Sequence, residues 1–306
     1  LEALLRSPKK ILSVVRTETA DLKEKYGDER KTEIVAHGIK EFSAEDLIPN
    51  ESTVVLITAD GYIKRLPPDT FRIQERGGKG IAGVKTKEED TVEHIFSTNT
   101  HADLLFFTSR GRVFQLKAYD VPPASRTSKG QALVNFLQLS QAEKVTAVFS
   151  SDDTSAYAYL MMATRQGTVK KCELSEFANV RRSGLIALTL KDEDVLEWVK
   201  PTTGKDDVVL VTAEGQSIRF QEQDVRPMGR AAGGVRGINL KGRDRIVGMD
   251  VITSEQVKNG KYDLLVIMDR GYGKRTQIGQ YKTQGRGGSG ILTANVTDKT
   301  GKIVMA

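Results

Sequence analysis

Five times along this chain, a run of apolar or Thr residues leads into a tight turn containing glycine. Val54 to Thr58 precedes Gly61, Leu104 to Thr108 precedes Gly111, and Leu160 to Thr164 precedes Gly167; Val208 to Thr212 precedes Gly215, and Leu264 to Met268 precedes Gly271. The turn glycines lie 50, 56, 48 and 56 residues apart. Short apolar runs bounded by Gly, Asp, Ser and Arg mark strands and hairpins. Self-similarity near 50 residues with strand-only content marks propeller blades. Each turn Gly is expected to take φ > 0.

Inside each unit the order repeats. The turn opens a second strand carrying basic residues: Lys64-Arg65, Arg112, Lys170-Lys171, Arg219 and Lys274-Arg275. A long connection ends in a second glycine, 19 residues after the first in four units (Gly80, Gly130, Gly234, Gly290) and 17 after it in the third (Gly184). A third strand follows, such as Ile186 to Leu190 or Ile291 to Val296. A fourth closes the unit: Val92 to Ser97, Val145 to Ser150, Val195 to Val199, Ile246 to Ile252 and Ile303 to Met305. The predicted fold class is all-β, a propeller-like array of five four-stranded units from about residue 53 to 306.

Ahead of the repeat, Ser7-Pro8 supplies an N-cap and a Pro at the first helical position. Ile11, Leu12, Val15, Leu22 and Tyr26 then recur at near-helical spacing until Gly27. The pattern predicts a helix over 8–26, either core-facing or the last stretch of a coiled-coil arm.

Propellers host many unrelated functions, so function must be read from charge. The chain has 46 Lys and Arg against 40 Asp and Glu, a net charge of +6. Five windows, 74–80, 124–130, 180–184, 228–237 and 284–290, hold nine basic residues and one acid, Glu75. The bases are Arg76, Lys79, Arg126, Lys129, Arg181, Arg182, Arg230, Arg236 and Arg286. The same windows contain 13 of the 28 glycines. Acidic clusters fall elsewhere, at Glu88-Glu89-Asp90 and Asp192-Glu193-Asp194.

A glycine-rich backbone lets a phosphate approach its N–H groups, and interspersed Arg and Lys add charge-assisted contacts. Equivalent loops of successive units are expected to form a discontinuous basic track for duplex DNA, held by its phosphates without a base-reading helix, with the second-strand bases Lys64, Arg65, Arg112, Lys170, Lys171, Arg219, Lys274 and Arg275 as further expected contacts.

Other chemistries are excluded or weak. The single Cys172 forms no internal disulfide, and His37, His94 and His101 lack metal-ligand spacing. No apolar run reaches the ~18 residues of a membrane helix, and without a recognisable leader the expected location is cytoplasmic; the DNA expected as partner would place it on the nucleoid. Gly285 to Gly290 matches G-x-G-x-x-G, but a strand follows where a dinucleotide site needs a helix. No phosphate-binding G-x-x-x-x-G-K-[ST] occurs. Trp198 and Cys172 sit in strand-like runs and are expected in the core.

The first loop reads Q-E-R-G-G-K-G from Gln74 through Glu75, Arg76, Gly77, Gly78 and Lys79 to Gly80. It resembles the box motif, usually Q-R-R-G-G-[RK]-G, of the C-terminal domain of the gyrase A subunit. Glu45-Asp46-Leu47-Ile48, Gly61-Tyr62-Ile63-Lys64-Arg65, Ser109-Arg110-Gly111-Arg112-Val113 and Gly271-Tyr272-Gly273-Lys274-Arg275 agree with it. Residues 24–34 look like that family's exit from its coiled-coil arm, which assigns 1–34 to the arm and 35–306 to the DNA-wrapping domain.

The resemblance implies a β-pinwheel with exchanged strands that wraps DNA on its outer rim. The wrap would present a positive crossing for negative supercoiling by an ATP-hydrolysing type II topoisomerase. It implies partners in the rest of the gyrase A subunit, plus the gyrase B subunit, with ATP and Mg held there. No cofactor, metal or catalytic residue is expected in this chain, and the isolated domain is expected to be monomeric.

Arg76 and Lys79 would contact phosphates, Gly77, Gly78 and Gly80 would permit close approach, and Gln74 would fix the loop. Glu75 replaces the usual first Arg and is expected to weaken that contact. The family commonly has six blades and five are readable here, so either a sixth blade and an acidic tail lie outside this sequence, the favoured expectation, or the domain closes with five. The alternatives are the similar disc of topoisomerase IV, whose box is degenerate or absent, and a protein-binding propeller.

Overall fold

The computed structural model describes residues 5–28, 32, 44–71, 90–154 and 156–306. The chain divides into two compact units, Leu1–Leu47 and Ile48–Ala306. In the first, helix α1 (Pro8–Tyr26) starts at Ser7 with Pro8 in its first turn. Gly27 ends it in an extended conformation, and none of its residues is buried. Of the segment 24–34, residues 29–31, 33 and 34 lie outside the described residues.

The second unit is built from strands. The first repeat holds β1 (Ser52–Thr58), β2 (Tyr62–Leu66) and β3 (Val92–Asn99); the second holds β4 (Asp103–Thr108), β5 (Arg112–Lys117), β6 (Gln131–Ala132) and β7 (Val145–Ser150). The third holds β8 (Tyr159–Thr164), β9 (Thr168–Glu173), β10 (Leu185–Ile186) and β11 (Leu196–Thr202). The fourth holds β12 (Asp207–Thr212), β13 (Gln216–Gln221), β14 (Val235–Arg236) and β15 (Ile246–Ile252). The fifth holds β16 (Asp263–Met268), β17 (Gly273–Gln277), β18 (Ile291–Leu292) and β19 (Ile303–Met305). All five turn glycines take φ between 71° and 90°.

The leading strand of each repeat sits inside its sheet, and in the second, third and fourth repeats neighbouring sheets pack on both of its faces. Side chains alternate along a strand, so Val55 and Ile57 of β1 meet Leu104 and Phe106 of β4, while Leu105 and Phe107 meet Leu160 and Met162 of β8. Met161 and Ala163 then meet Val208 and Leu210 of β12, and Val209 and Val211 meet Val266 and Met268 of β16. Burial on both faces explains why these strands are continuously apolar. Cys172 is buried between the second and third sheets, and Trp198 packs partly buried against the cluster between the third and fourth. Leu265 of β16 occupies the place of Val55, Leu105, Met161 and Val209, yet is 49% exposed.

The third strands are shorter than the runs read from the sequence, and they are exchanged between repeats as the resemblance implies. Each joins the sheet of the preceding repeat: β6 pairs with β2, β10 with β5, β14 with β9 and β18 with β13. Four sheets thereby have four strands, and the fifth has three among the described residues, in the order β17-β16-β19. These strands are two residues long because they pair only with the hairpin's end. Ala187 and Leu188 both donate to the Gly111 carbonyl at the turn, and no strand continues beyond it.

Candidate nucleic-acid interface

The box residues Gln74 to Gly80 lie outside the described residues. The glycine-basic loops of the second to fifth repeats are described, and each precedes an exchanged strand. The second glycine lets the loop make that crossing. Gly290 has φ 75°, and a Cβ on it would lie 2.3 Å from the Ser217 carbonyl oxygen of β13. Gly229 and Gly285 differ: φ is not left-handed at either, and a Cβ would meet nothing within 4 Å.

Successive loops are joined edge to edge. Thr189, after β10, donates its backbone N–H to Ala232 O (3.3 Å) and its hydroxyl to Ala231 O (2.7 Å). Gly287 N–H donates to Gly237 O (2.7 Å), and Asn239 N–H to Gly288 O (2.8 Å). The third repeat's exchanged segment, into which the third loop leads, is thus hydrogen-bonded in series with the fourth and fifth loops.

Arg181, Arg182 and Arg236 are exposed on the glycine-basic loops. Arg286 is exposed but tethered, with Nε donating to Asp224 O and Nη1 to Arg236 O. Arg230 lies 3.7 Å from the Glu176 carboxylate. In the second loop, Arg126 and Lys129 are half-buried, and the Lys129 ammonium stands 3.6 Å over the Tyr62 ring. Lys191, which composition of the loops did not single out, lines a polar cleft of about 260 Å³ with Gly234, Arg236 and Asn239. Its only signal was position, directly after the third repeat's exchanged segment.

Several hairpin bases predicted to touch DNA are instead interior. Lys64, Lys170, Lys171 and Arg219 are 1%, 0%, 4% and 6% exposed, and burial lowers the pKa of all three lysines. They fasten one repeat to the next. Lys64 Nζ donates to Ser125 O, Arg126 O and Ser128 O, and Lys170 Nζ to Ala187 O and Arg230 O. Lys171 Nζ donates to Glu222 O (2.9 Å), and Arg219 holds Asp207 while donating to Ile278 O and Tyr281 O.

Arg65, half-buried, donates from Nε to Val121 O. Arg112 is held by Glu143 at the end of its own hairpin. Lys274 and Arg275 are exposed; Lys274 donates to Thr293 O, and Arg275 pairs with Asp263.

The acids also have structural work that sequence reasoning missed. Asp90, Asp194 and Asp244 each accept the backbone N–H of a hairpin turn, from Asp60, Gln166 and Glu214. An Asp recurring 28 to 30 residues after the turn was the available signal. No helix among the described residues is long and apolar enough to cross a membrane.

A family model described as the DNA gyrase C-terminal domain, beta-propeller, matches residues 52–99, 102–152, 158–203, 206–253 and 262–304, one match per repeat. The chain belongs to this family. The DNA gyrase A subunit of Staphylococcus epidermidis (strain ATCC 12228 / FDA PCI 1200) is 43% identical over 99% of this chain and 34% of its own length. The DNA gyrase A subunit of Staphylococcus aureus (strain NCTC 8325 / PS 47) is 41% identical over the same shares. The chain thus spans about a third of the curated relatives it matches.

Among solved structures, the C-terminal domain of DNA topoisomerase IV has a TM-score of 0.70 at 27% identity, covering 84% of this chain and 76% of that one. The DNA gyrase A C-terminal domain has a TM-score of 0.63 at 26% identity, covering 83% and 81%. The fold is common to both; the 43% identity over 99% of this chain places it with the C-terminal domain of the gyrase A subunit.

Proposed function

We propose that this chain wraps duplex DNA around its glycine-basic loops as the C-terminal domain of a gyrase A subunit. The observation that carries the reading is the series joining the third repeat's exchanged segment to the fourth and fifth loops, with Arg181, Arg182 and Arg236 exposed on the glycine-basic loops. Phosphates repeat along a duplex, so a basic surface continuous across units gains counterion release at each contact. Bending a stiff duplex by tens of degrees costs about 1 to 6 kcal/mol, and contacts spread over several loops offset it. Binding is therefore sequence-tolerant, salt-sensitive and coupled to curvature.

Within the whole enzyme, the wrap presents a positive crossing, and strand passage driven by ATP on the B subunit makes it a negative supercoil. The partners are duplex DNA, the remainder of the A subunit, plus the B subunit, in the cytoplasm on the nucleoid. The box Gln74 to Gly80 is assigned the leading contact.

Ligating nicked circular DNA around the isolated chain tests the reading. Wrapping leaves a linking-number shift that grows with protein-to-DNA ratio. An unchanged topoisomer distribution would favour a protein-binding propeller.

A further inference from the structure

We infer that Lys64 and Lys170 are positioning residues of the DNA interface, each holding the glycine-basic loop of the following repeat with its carbonyls turned inward. The inference rests on the DNA-wrapping reading above.

Lys64 lies in β2 of the first repeat, and its ammonium has three donors. All three reach carbonyls of the second repeat's loop: Ser125 O at 3.3 Å, Arg126 O at 2.9 Å and Ser128 O at 2.7 Å. Lys170 holds the same place in β9, and its ammonium takes Arg230 O of the fourth repeat's loop together with Ala187 O at 2.8 Å. Burying an ammonium is expensive unless it is fully hydrogen-bonded, and seating a loop does not require one. Phe114 of β5 occupies the same place with its ring against Gly184, and Ile218 of β13 occupies it against Gly288.

What the lysine adds is direction. A trans peptide's C=O and N–H point oppositely. Carbonyls drawn onto a buried cation leave the positive ends of those peptide dipoles facing away from it, toward solvent, as in an anion-binding nest. The cation also places its own charge beneath the loop. The second and fourth loops thereby become anion-binding by backbone as well as by side chain. Lys274 of β17 is the internal control: it occupies the same place but is exposed, and the carbonyl it donates to, Thr293 O, lies in its own repeat.

The test uses Lys64→Phe and Lys170→Ile, which copy the apolar seats of the second and fourth sheets and are therefore expected to fold. Affinity for a linear duplex long enough to wrap is measured across a salt series. Each substitution is expected to flatten the log–log salt dependence by about one phosphate contact and to speed amide exchange of 125–130 or 229–234 by about tenfold or more. Lys64→Gln, whose amide keeps two donors, is expected to recover most of the affinity, and Lys274→Met to leave amide exchange of both loops at the wild-type rate.

Wild-type affinity and slope in both Lys64→Phe and Lys170→Ile would overturn the inference. So would loop exchange speeded equally by Lys274→Met, which would make loss of charge alone the cause. If the unsubstituted protein itself fails to bind duplex DNA, the wrapping reading fails first and is distinguished from this one.

Discussion

Glu143 grips Arg112 across the second sheet, accepting from Nε through Oε1 at 3.0 Å and from Nη2 through Oε2 at 2.5 Å. The same carboxylate accepts from the Thr108 hydroxyl and from the Ser140 backbone N–H. Arg112, a hairpin base beside the Gly111 turn, is thus committed to holding that turn against the segment leading into β7. The second repeat uses this pair where the first, third and fourth use an Asp.

The pair makes stability depend on pH. Burial alone would raise the Glu143 carboxyl, but hydrogen bonds from Arg112, Thr108 and Ser140, with the guanidinium charge, lower it from 4.5 to about 2. A group depressed on folding stabilises the protein above its unfolded value and ceases to as pH falls through its folded value. The stabilisation, about 1 to 3 kcal/mol, should be complete above pH 4.5 and fade toward pH 2. Glu143→Gln should remove that acid limb, seen in denaturant midpoints across pH; parallel curves for the two proteins would contradict it.

Arg219 and the pair Arg181 and Arg182 are expected to separate stability from binding. Arg219→Met leaves the Asp207 carboxylate without its partner and should cost about 3 kcal/mol of folding stability. Arg181→Ala with Arg182→Ala should leave the melting temperature unchanged and reduce the DNA salt slope by about 2. A loss of slope confined to Arg219→Met would reverse these assignments.

Glycines of the same loops should likewise divide. Gly290→Ala sets a Cβ against the Ser217 carbonyl at left-handed φ and should destabilise by about 2 kcal/mol or more. Gly229→Ala and Gly285→Ala meet no neighbour, so thermal stability should hold while duplex affinity falls. Unchanged affinity in both would mean that DNA does not approach those backbones.

The box is expected to matter only where wrapping matters. Replacing Gln74 to Gly80 by alanines in the complete enzyme should abolish negative supercoiling and spare ATP-dependent relaxation. Supercoiling that survives would remove the box from the interface.

Periodicity was enough to read the repeat, the strand content, the turn glycines and the helix Pro8–Tyr26, because each rests on residues close together in the chain. The motif at Gln74 to Gly80 and its surroundings were enough to read the family for the same reason. Two things were not local. A two-residue strand such as Val235–Arg236 carries no record of which sheet it will join, and it joins the preceding repeat's β9. Lys64 and Lys170 look as basic in sequence as Arg181 and Arg182, yet the first two are buried on neighbouring carbonyls and the last two are exposed. Charge is a property of the residue, but whether that charge meets solvent or the next repeat is settled by contacts between segments some 60 residues apart.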